Sequence, residues 1–318
     1  MTRIIFFGTS EFGAIILEKL IHAKIRPLLV VTVPDKPVGR KQLLTPPPVK
    51  SHIMKHKWNI PILQPENLST ISNQLSAISP DLMVLAAYGQ VIPKEILKIP
   101  RYDALNVHPS LLPKYRGPSP IQTAILNGDE ETGVTIMLMD EQIDHGPIVA
   151  SEKFKMKNQK FTYPELHDTL AKLGGELLIK TIPKWVKGEI MPQPQNHAKA
   201  TSTKRIAKQH GHIDWSKPAL YIERQTRALN PWPGTYSFLK VETQDLNPQI
   251  LKILRARVLE GTYEKAPGKT FLTTSGKLAV QTQKDALLVE ELQLQGGKPM
   301  PAREFLLGHK DFVGTILA

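Results

Sequence analysis

The chain has 318 residues, of which 41% are hydrophobic and 22% charged, a composition of globular rather than disordered or fibrous proteins. This length suits two domains. The absence of cysteine excludes disulfides, thiolate nucleophiles and Cys-ligated metal sites, and it suits a reducing compartment. Because no apolar run approaches the ~20 residues of a membrane span and no leader precedes the first apolar segment, we expect a cytoplasmic protein without a membrane partner.

The net charge of +12 is concentrated in the C-terminal half of the chain. Residues 204–318 carry 17 Lys and Arg against 11 Asp and Glu, whereas residues 1–150 carry 15 against 13. A solvated, lysine-rich surface and a surface for a polyanionic partner both fit this distribution. Charge alone does not decide between them.

The N-terminal part alternates short, nearly continuous apolar runs with stretches of helical spacing. The apolar runs are residues 3–8, 27–33, 60–63, 81–88 and 104–107, and the helical stretches are residues 11–22, 48–57, 68–78 and 93–99. Strands that are buried on both faces of a parallel sheet have this pattern. We therefore predict an α/β domain with a Rossmann-like, mostly parallel sheet and a ligand site at the carboxyl ends of its strands.

The rest of the chain predicts a second, smaller domain. Two strands at 134–139 and 148–154 and a long helix from about Pro164 complete the first domain, which we place at residues 1–189. The Pro-rich, polar residues 190–207 are interpreted as a linker. A helix at 219–229 and short alternating strands over 235–241, 250–259, 269–274, 277–283 and 287–294 then predict a small OB-like β-barrel domain over residues 208–318.

A glycine motif, Gly8-Thr-Ser-Glu-Phe-Gly13, follows the first predicted strand. In dinucleotide-binding proteins a glycine at its centre lets the pyrophosphate approach the backbone, but that position is Ser10 here. A tight turn from strand to helix is the better interpretation.

Polar side chains at the end of the fifth predicted strand are the first candidates for chemistry. Asn106 and His108 lie two residues apart, so their side chains point to the same side of the strand. A rigid, Pro-rich loop with Leu111 and Leu112 follows them, as in sites for flat ligands. A second loop, 139–146, carries Asp140, Glu141 and Asp144, each of which alone is a common turn residue. If this loop folds over the sheet edge, a carboxylate reaches His108 and sets its tautomer and charge.

The run Asn106-Val-His108-Pro-Ser-Leu-Leu-Pro113 with Arg116-Gly117, followed by Asp144-x-Gly146, resembles the signature of the folate-dependent formyltransferase family. The resemblance extends over nearly the whole chain. Its inserted loop at 33–50 and its C-terminal segments 213–215 and 230–233 resemble the branch of the family that acts on methionyl-tRNA.

This resemblance implies roles for individual residues. Catalysis is assigned to Asn106, His108 and Asp144; folate binding to Ser110, Leu111, Leu112 and Pro113 and to the backbone at Tyr88 and Gly89; and contact with the tRNA acceptor end to Arg40. The basic residues Lys204, Arg205, Arg255 and Arg257 are further candidates for tRNA binding.

The resemblance also implies the reaction. We expect a monomeric enzyme that transfers the formyl group of 10-formyltetrahydrofolate, as a co-substrate, to the free amine of initiator methionyl-tRNA, without a metal. Asn106 and a protonated His108 would stabilise the oxyanion, while Asp144 relays the proton itself or orients a water. A formyltransferase for sugar nucleotides or other small amines, a formyl-folate hydrolase and a non-catalytic RNA-binding protein are the alternatives.

Overall fold

The structure of the chain, a computed structural model, describes residues 2–39, 41–156, 160–239 and 249–318. The chain divides into two compact units. Unit 1 consists of Met1–Pro120, Glu130–Lys157 and Glu165–Lys204, and unit 2 consists of Ile121–Asp129, Asn158–Pro164 and Arg205–Ala318. Within the described ranges, no helix combines the length and the apolar character that crossing a membrane requires.

Strands and helices alternate over the first 190 residues. The strands are β1 (Ile4–Gly8), β2 (Leu29–Val31), β3 (Lys36–Val38), β4 (Leu43–Thr45), β5 (Ile62–Leu63), β6 (Leu82–Ala86), β7 (Ala104–His108), β8 (Glu131–Leu138) and β9 (Ile148–Lys155). The helices are α1 (Glu11–His22), α2 (Pro48–Lys55), α3 (Ser72–Ile78), α4 (Lys94–Leu97), α5 (Pro120–Asn127) and α6 (Tyr163–Val186), with a 3₁₀ turn at Leu68–Ile71 before α3. Among the described residues, unit 1 forms a sheet in the order β5-β2-β1-β6-β7-β8-β9.

The predicted Rossmann-like, mostly parallel sheet is confirmed. All pairs from β5 to β7 are parallel, and β8 and β9 add antiparallel strands at one side. Every residue of β1 and β6 is buried, which explains why these strands are continuous apolar runs. Ile5 and Phe7 belong to one core cluster with Leu75 of α3 and Ile96 of α4. The motif from Gly8 forms the strand-to-helix turn between β1 and α1, as predicted.

A short hairpin stands where the sequence indicated only a loop. Strands β3 and β4 pair antiparallel, with Val38 opposite Leu43 and Lys36 opposite Thr45. All their residues are exposed, so no alternation of buried and exposed positions reveals them in the sequence. Arg40, between the two strands, lies outside the described residues.

In the described part of the chain, unit 2 contains an antiparallel sheet, most of α5 and two helices beyond those already named. Its strands are β10 (Thr235–Leu239), β11 (Gln249–Leu259), β12 (Thr270–Leu272), β13 (Leu278–Gln281), β14 (Ala286–Leu294) and β15 (Met300–Pro301), and its helices are α7 (Ala219–Leu229) and α8 (Ala302–Gly308). The strand order is β10-β11-β14-β13-β12, with β15 paired to β14. The sequence did not predict α8, a helix of seven residues.

The last residues of the chain link the two edges of this sheet. Leu317 forms a bridge with Leu239 at the end of β10, and Ile316 forms one with Lys269 just before β12. The sheet therefore curls into the small OB-like barrel that the sequence predicted. Inside it, the buried Trp215 donates its indole N–H to Ser237 Oγ at 2.9 Å, which satisfies the polar end of a large apolar side chain.

Candidate active site

The candidate catalytic and folate-binding residues of unit 1 gather at the carboxyl edge of the parallel strands. β1, β6 and β7 end side by side, so the segments that follow Gly8, Ala86 and His108 lie at one edge. Two of these segments are joined directly, because Thr9 donates its N–H to Ala87 O at 3.2 Å and its hydroxyl to Tyr88 O at 2.6 Å.

Asn106, His108 and Asp144 lie together in the structure. Asn106 Nδ2 is 3.4 Å from Asp144 Oδ1, and His108 Nδ1 is 3.5 Å from Asp144 Oδ2. His108 is buried, and the carboxylate of Asp144 is only 13% exposed, so water screens this pair weakly. The loop 139–146 thus brings a carboxylate to His108, as the sequence hypothesis required.

The two ring nitrogens of His108 face different partners. Nε2 lies 2.9 Å from the carbonyl oxygen of Tyr115, which can only accept a hydrogen bond. We therefore assign a hydrogen to Nε2, and Nδ1 is the nitrogen that faces Asp144.

Asp144 is held from several sides in a left-handed backbone conformation, with φ +49°. Gly117 donates its backbone N–H to Asp144 Oδ2 at 2.7 Å. A side chain at Gly117 would have to fit a positive φ of +96° and a Cβ only 3.0 Å from Thr203 O. At Gly146 a Cβ would lie 2.0 Å from Leu138 O, so the chain can return to β8 only with glycine there. These contacts explain the glycines of Arg116-Gly117 and Asp144-x-Gly146.

The loop after His108 is held by hydrogen bonds within it and by hydrogen bonds to Thr135 of β8. Ser110 Oγ donates to Lys114 O at 2.6 Å, and Thr135 Oγ1 donates to Ser110 O at 2.7 Å and accepts from Leu112 N at 3.1 Å. The Leu112–Pro113 peptide bond is cis. Ser110 is buried, so its hydroxyl serves the loop, whereas Leu111 is half-buried. Sequence reasoning missed Thr135, which lies between the apolar residues Val134 and Ile136 of β8.

Tyr88 and Gly89 form the turn after β6. The Tyr88 ring is buried edge-on against Phe7, with ring centroids 5.3 Å apart, and its hydroxyl lies 3.3 Å from Gln90 Oε1. Burial raises the pKa of the Tyr88 phenol to about 12, so the phenol stays protonated at neutral pH. Gly89 has φ +83°, and the space beside its Cα is open.

Four of the predicted tRNA-binding residues lie in the described ranges, and all four are surface cations. Lys204 and Arg205 are exposed. Arg255 and Arg257 lie on the same exposed face of β11, and both pair with Glu290, through Nε at 3.2 Å and 2.6 Å. Two guanidinium groups thus share one carboxylate.

The segment predicted as a linker contributes to the site, which the sequence did not indicate. Residues 201–203 run parallel to the loop at Arg116: Arg116 N donates to Thr201 O at 2.8 Å and Thr203 N donates to Arg116 O at 2.7 Å. Gln195 is buried and binds both Arg116 and the loop of Asp144. Because it stands in a Pro-rich, polar stretch, nothing in the sequence distinguishes it from exposed neighbours.

Comparison with known proteins identifies the family. The family model "Formyl transferase" matches residues 2–182, and "Formyl transferase, C-terminal domain" matches residues 205–310. The chain belongs to the formyl transferase family. It is 44% identical over 313 residues to methionyl-tRNA formyltransferase of Chloroflexus aurantiacus, covering 97% of this chain and 98% of that protein. It is 41% identical to the protein of the same name from Pelobacter propionicus, with 99% and 95% covered.

Solved structures share the fold of this formyltransferase. An N-formyltransferase from Helicobacter canadensis, in complex with folinic acid and dTDP-3-aminofucose, has a TM-score of 0.61 and 19% identity, with 91% of this chain and 99% of that chain covered. HypX from Aquifex aeolicus in complex with tetrahydrofolic acid has a TM-score of 0.62 and 17% identity, with 96% of this chain covered. The chain spans 46% of that HypX chain.

Proposed function

We propose that this formyltransferase transfers the formyl group of 10-formyltetrahydrofolate to the free amino group of methionyl-tRNA, making formylmethionyl-tRNA for translation initiation. The observation that carries the proposal is the meeting of Asn106, His108 and Asp144 at the carboxyl edge of the sheet. Relatives that are 41–44% identical over nearly the whole chain bear the name methionyl-tRNA formyltransferase, which supports this acceptor.

In the proposed reaction the methionyl amine attacks the formyl carbon, and a C–N bond forms as the carbonyl oxygen becomes an oxyanion. The Asn106 amide and the Nδ1–H of protonated His108 donate hydrogen bonds to that oxygen. One such donor contributes ~3–4 kcal/mol in comparable sites. Asp144 stabilises the imidazolium and accepts the proton that the amine loses, directly or through a water. The proton then reaches N10 as its bond to the formyl carbon breaks and tetrahydrofolate leaves.

For the formyl donor we propose contact with the backbone at Tyr88 and Gly89 and with the loop 110–113. The open space beside Gly89 lets a flat ring approach the backbone, and Leu111 offers a half-buried apolar side chain. Two solved relatives of this fold are complexes with folates, which supports a folate donor.

For the acceptor we propose the side of the hairpin β3–β4. A groove of about 680 Å³ there is lined mainly by apolar and basic residues, among them Val38, Lys36 and Lys55, and by one acidic residue, Glu11. Thr9 also lines it and binds the turn at Tyr88, so the groove adjoins the edge that carries the site. Arg40, Lys204, Arg205, Arg255 and Arg257 remain proposed tRNA contacts from the sequence.

The proposal includes the organisation of the protein. The catalytic domain is placed at 1–189, the connection at 190–207 and an OB-like tRNA-binding domain at 208–318. We propose further that the enzyme is monomeric and cytoplasmic. The absence of cysteine supports the cytoplasmic location, since such a chain suits a reducing compartment.

The test is formyl transfer from labelled 10-formyltetrahydrofolate to a panel of acceptors. The panel contains methionyl-tRNA, uncharged tRNA, an amino-sugar nucleotide and water alone. We expect labelled formylmethionyl-tRNA, with no product on uncharged tRNA. Formylation of the sugar nucleotide in its place would establish the main alternative, release of free formate would indicate a hydrolase, and tRNA binding without turnover would indicate a non-catalytic protein.

A further inference from the structure

Gln195 joins three segments around the candidate catalytic aspartate. It is only 5% exposed, although it belongs to a polar, Pro-rich stretch. Its amide nitrogen donates to Asp144 O at 2.9 Å and to Gly146 O at 2.8 Å, and its oxygen accepts two hydrogen bonds from Arg116. These four contacts use both hydrogens and both lone pairs of the side-chain amide.

The donating half of Gln195 fixes the backbone of Asp144. A left-handed conformation is uncommon for a residue other than glycine, and it persists where surrounding contacts impose it. Gln195 binds the carbonyl of Asp144 itself and that of Gly146, two residues further along. The direction in which the Asp144 side chain leaves the backbone therefore depends on this amide.

The amide oxygen of Gln195 holds Arg116, and thereby its neighbour Gly117, which binds the Asp144 carboxylate. This oxygen lies 3.0 Å from Arg116 Nε and 2.7 Å from Arg116 Nη2. The next residue, Gly117, donates its N–H to Asp144 Oδ2. A closed ring of contacts thus runs from the Asp144 backbone through Gln195, Arg116 and Gly117 back to the Asp144 carboxylate.

We propose that Gln195 is a positioning residue for formyl transfer, which holds the carboxylate of Asp144 against His108 and Asn106. The inference rests on the proposed function for the step that Asp144 serves. Gln195 does not contact substrate in this scheme, since its own contacts use its full hydrogen-bonding capacity. Its effect on the rate passes through Asp144, and this distinguishes it from a residue that only attaches the segment 191–204.

A double-mutant cycle for Gln195→Ala and Asp144→Ala tests the inference. With Asp144 present, we expect Gln195→Ala to lower kcat about 10- to 100-fold, the loss that a misplacement of about 1 Å produces, with little change in KM for the folate. In the Asp144→Ala background, Gln195→Ala should lower kcat less than about 3-fold, because the effects of substitutions at two coupled residues are not additive. Gln193→Ala, at an exposed glutamine two residues earlier, is the matched control and should keep the wild-type kcat.

Gln195→Glu separates the two halves of the side chain. A carboxylate still accepts from Arg116, but it places an oxygen opposite the carbonyls of Asp144 and Gly146. We expect it to lower kcat as much as Gln195→Ala does, while thermal unfolding shows a folded protein. An equal loss from Gln195→Ala in both Asp144 backgrounds, or a wild-type kcat in Gln195→Glu, would overturn the inference. If wild type formylates another acceptor, the proposed function fails, and the cycle is run with that acceptor.

Discussion

At the scale of single residues, the two ring nitrogens of His108 have different roles: one binds the fold, and the other is proposed to take part in the reaction. Nε2 binds the carbonyl of Tyr115 in the loop, whereas Nδ1 faces Asp144. A glutamine at this position can place its amide nitrogen near Nε2, but it has no group at Nδ1. An alanine removes both.

We predict that His108→Gln and His108→Ala both lower kcat by about 100-fold or more, since both lose the proposed oxyanion donor. KM for the folate should change little. His108→Gln should unfold at a higher temperature than His108→Ala, because it keeps a donor for the buried carbonyl of Tyr115. Steady-state kinetics and thermal unfolding check this, and a His108→Gln variant within a few-fold of the wild-type kcat would show that Nδ1 has no part in the reaction.

Some residues of the site could be placed from the sequence alone, and others could not. The spacing of Asn106 and His108 on a strand was sufficient to place both side chains at one edge. The sequence supported the approach of Asp144 to His108 only on the condition that the loop 139–146 folds over the sheet edge. The path of that loop depends on contacts with residues distant in sequence, including Gly117 and Gln195. Gln195 was missed, since its burial depends on tertiary contacts that leave no pattern in the sequence.

At the level of elements, the hairpin β3–β4 is tied at its base by a polar cluster of Asp35, Lys50 and Gln64. Lys50 Nζ lies 2.9 and 2.8 Å from the two oxygens of Asp35 and 2.7 Å from Gln64 Oε1. Hydrogen bonds from Gln64 and then from Lys50 lower the pKa of Asp35. Lys50, in the same basic stretch as Arg40 but ten residues after it, is thus engaged in the fold.

We predict that Lys50→Met raises KM for methionyl-tRNA about two- to fivefold, the size expected for a partly exposed ion pair, and leaves KM for the folate unchanged. Because the pKa of Asp35 is lowered in the folded protein, the charged Asp35 stabilises the folded state at every pH above its pKa in the unfolded chain. This stabilisation is lost only as the pH falls through the pKa of Asp35 in the folded state. The effect of Lys50→Met should therefore be equal at pH 6 and pH 8. Lys57→Met, which removes an exposed charge just after α2, is the control. Equal effects of both substitutions would show that charge alone matters.

Strands that are buried on both faces were predictable, whereas very short or fully exposed elements were not. The fully buried β1 and β6 appear in the sequence as apolar runs, and their parallel pairing follows from the helices between them. The exposed hairpin β3–β4 was missed, and so were the short helices α5 and α8. None of these elements is long enough to repeat an apolar spacing over several turns or strand residues, which is the pattern by which helices and strands are recognised.

At the level of the whole molecule, the basic excess of residues 204–318 is the feature that concerns the acceptor. On β11 it is smaller than the sequence implies, because Glu290 neutralises one of the two charges of Arg255 and Arg257. Exposed ion pairs of this kind exchange readily for phosphate contacts, since they contribute at most about 1 kcal/mol.

The most direct test of the central claim, an amine acceptor carried by tRNA, is kcat/KM for methionyl-tRNA measured over a series of salt concentrations. We predict that log kcat/KM falls linearly with the logarithm of the salt concentration, with a slope of about −0.7 to −0.9 for each phosphate contacted. The Arg255→Ala, Arg257→Ala double variant loses two such contacts, so its slope should be smaller in magnitude by about 1.4 to 1.8. Glu290→Gln, which frees both guanidinium groups, should raise kcat/KM at low salt. A flat salt response that is the same in all three proteins would contradict a tRNA-borne acceptor held by this surface.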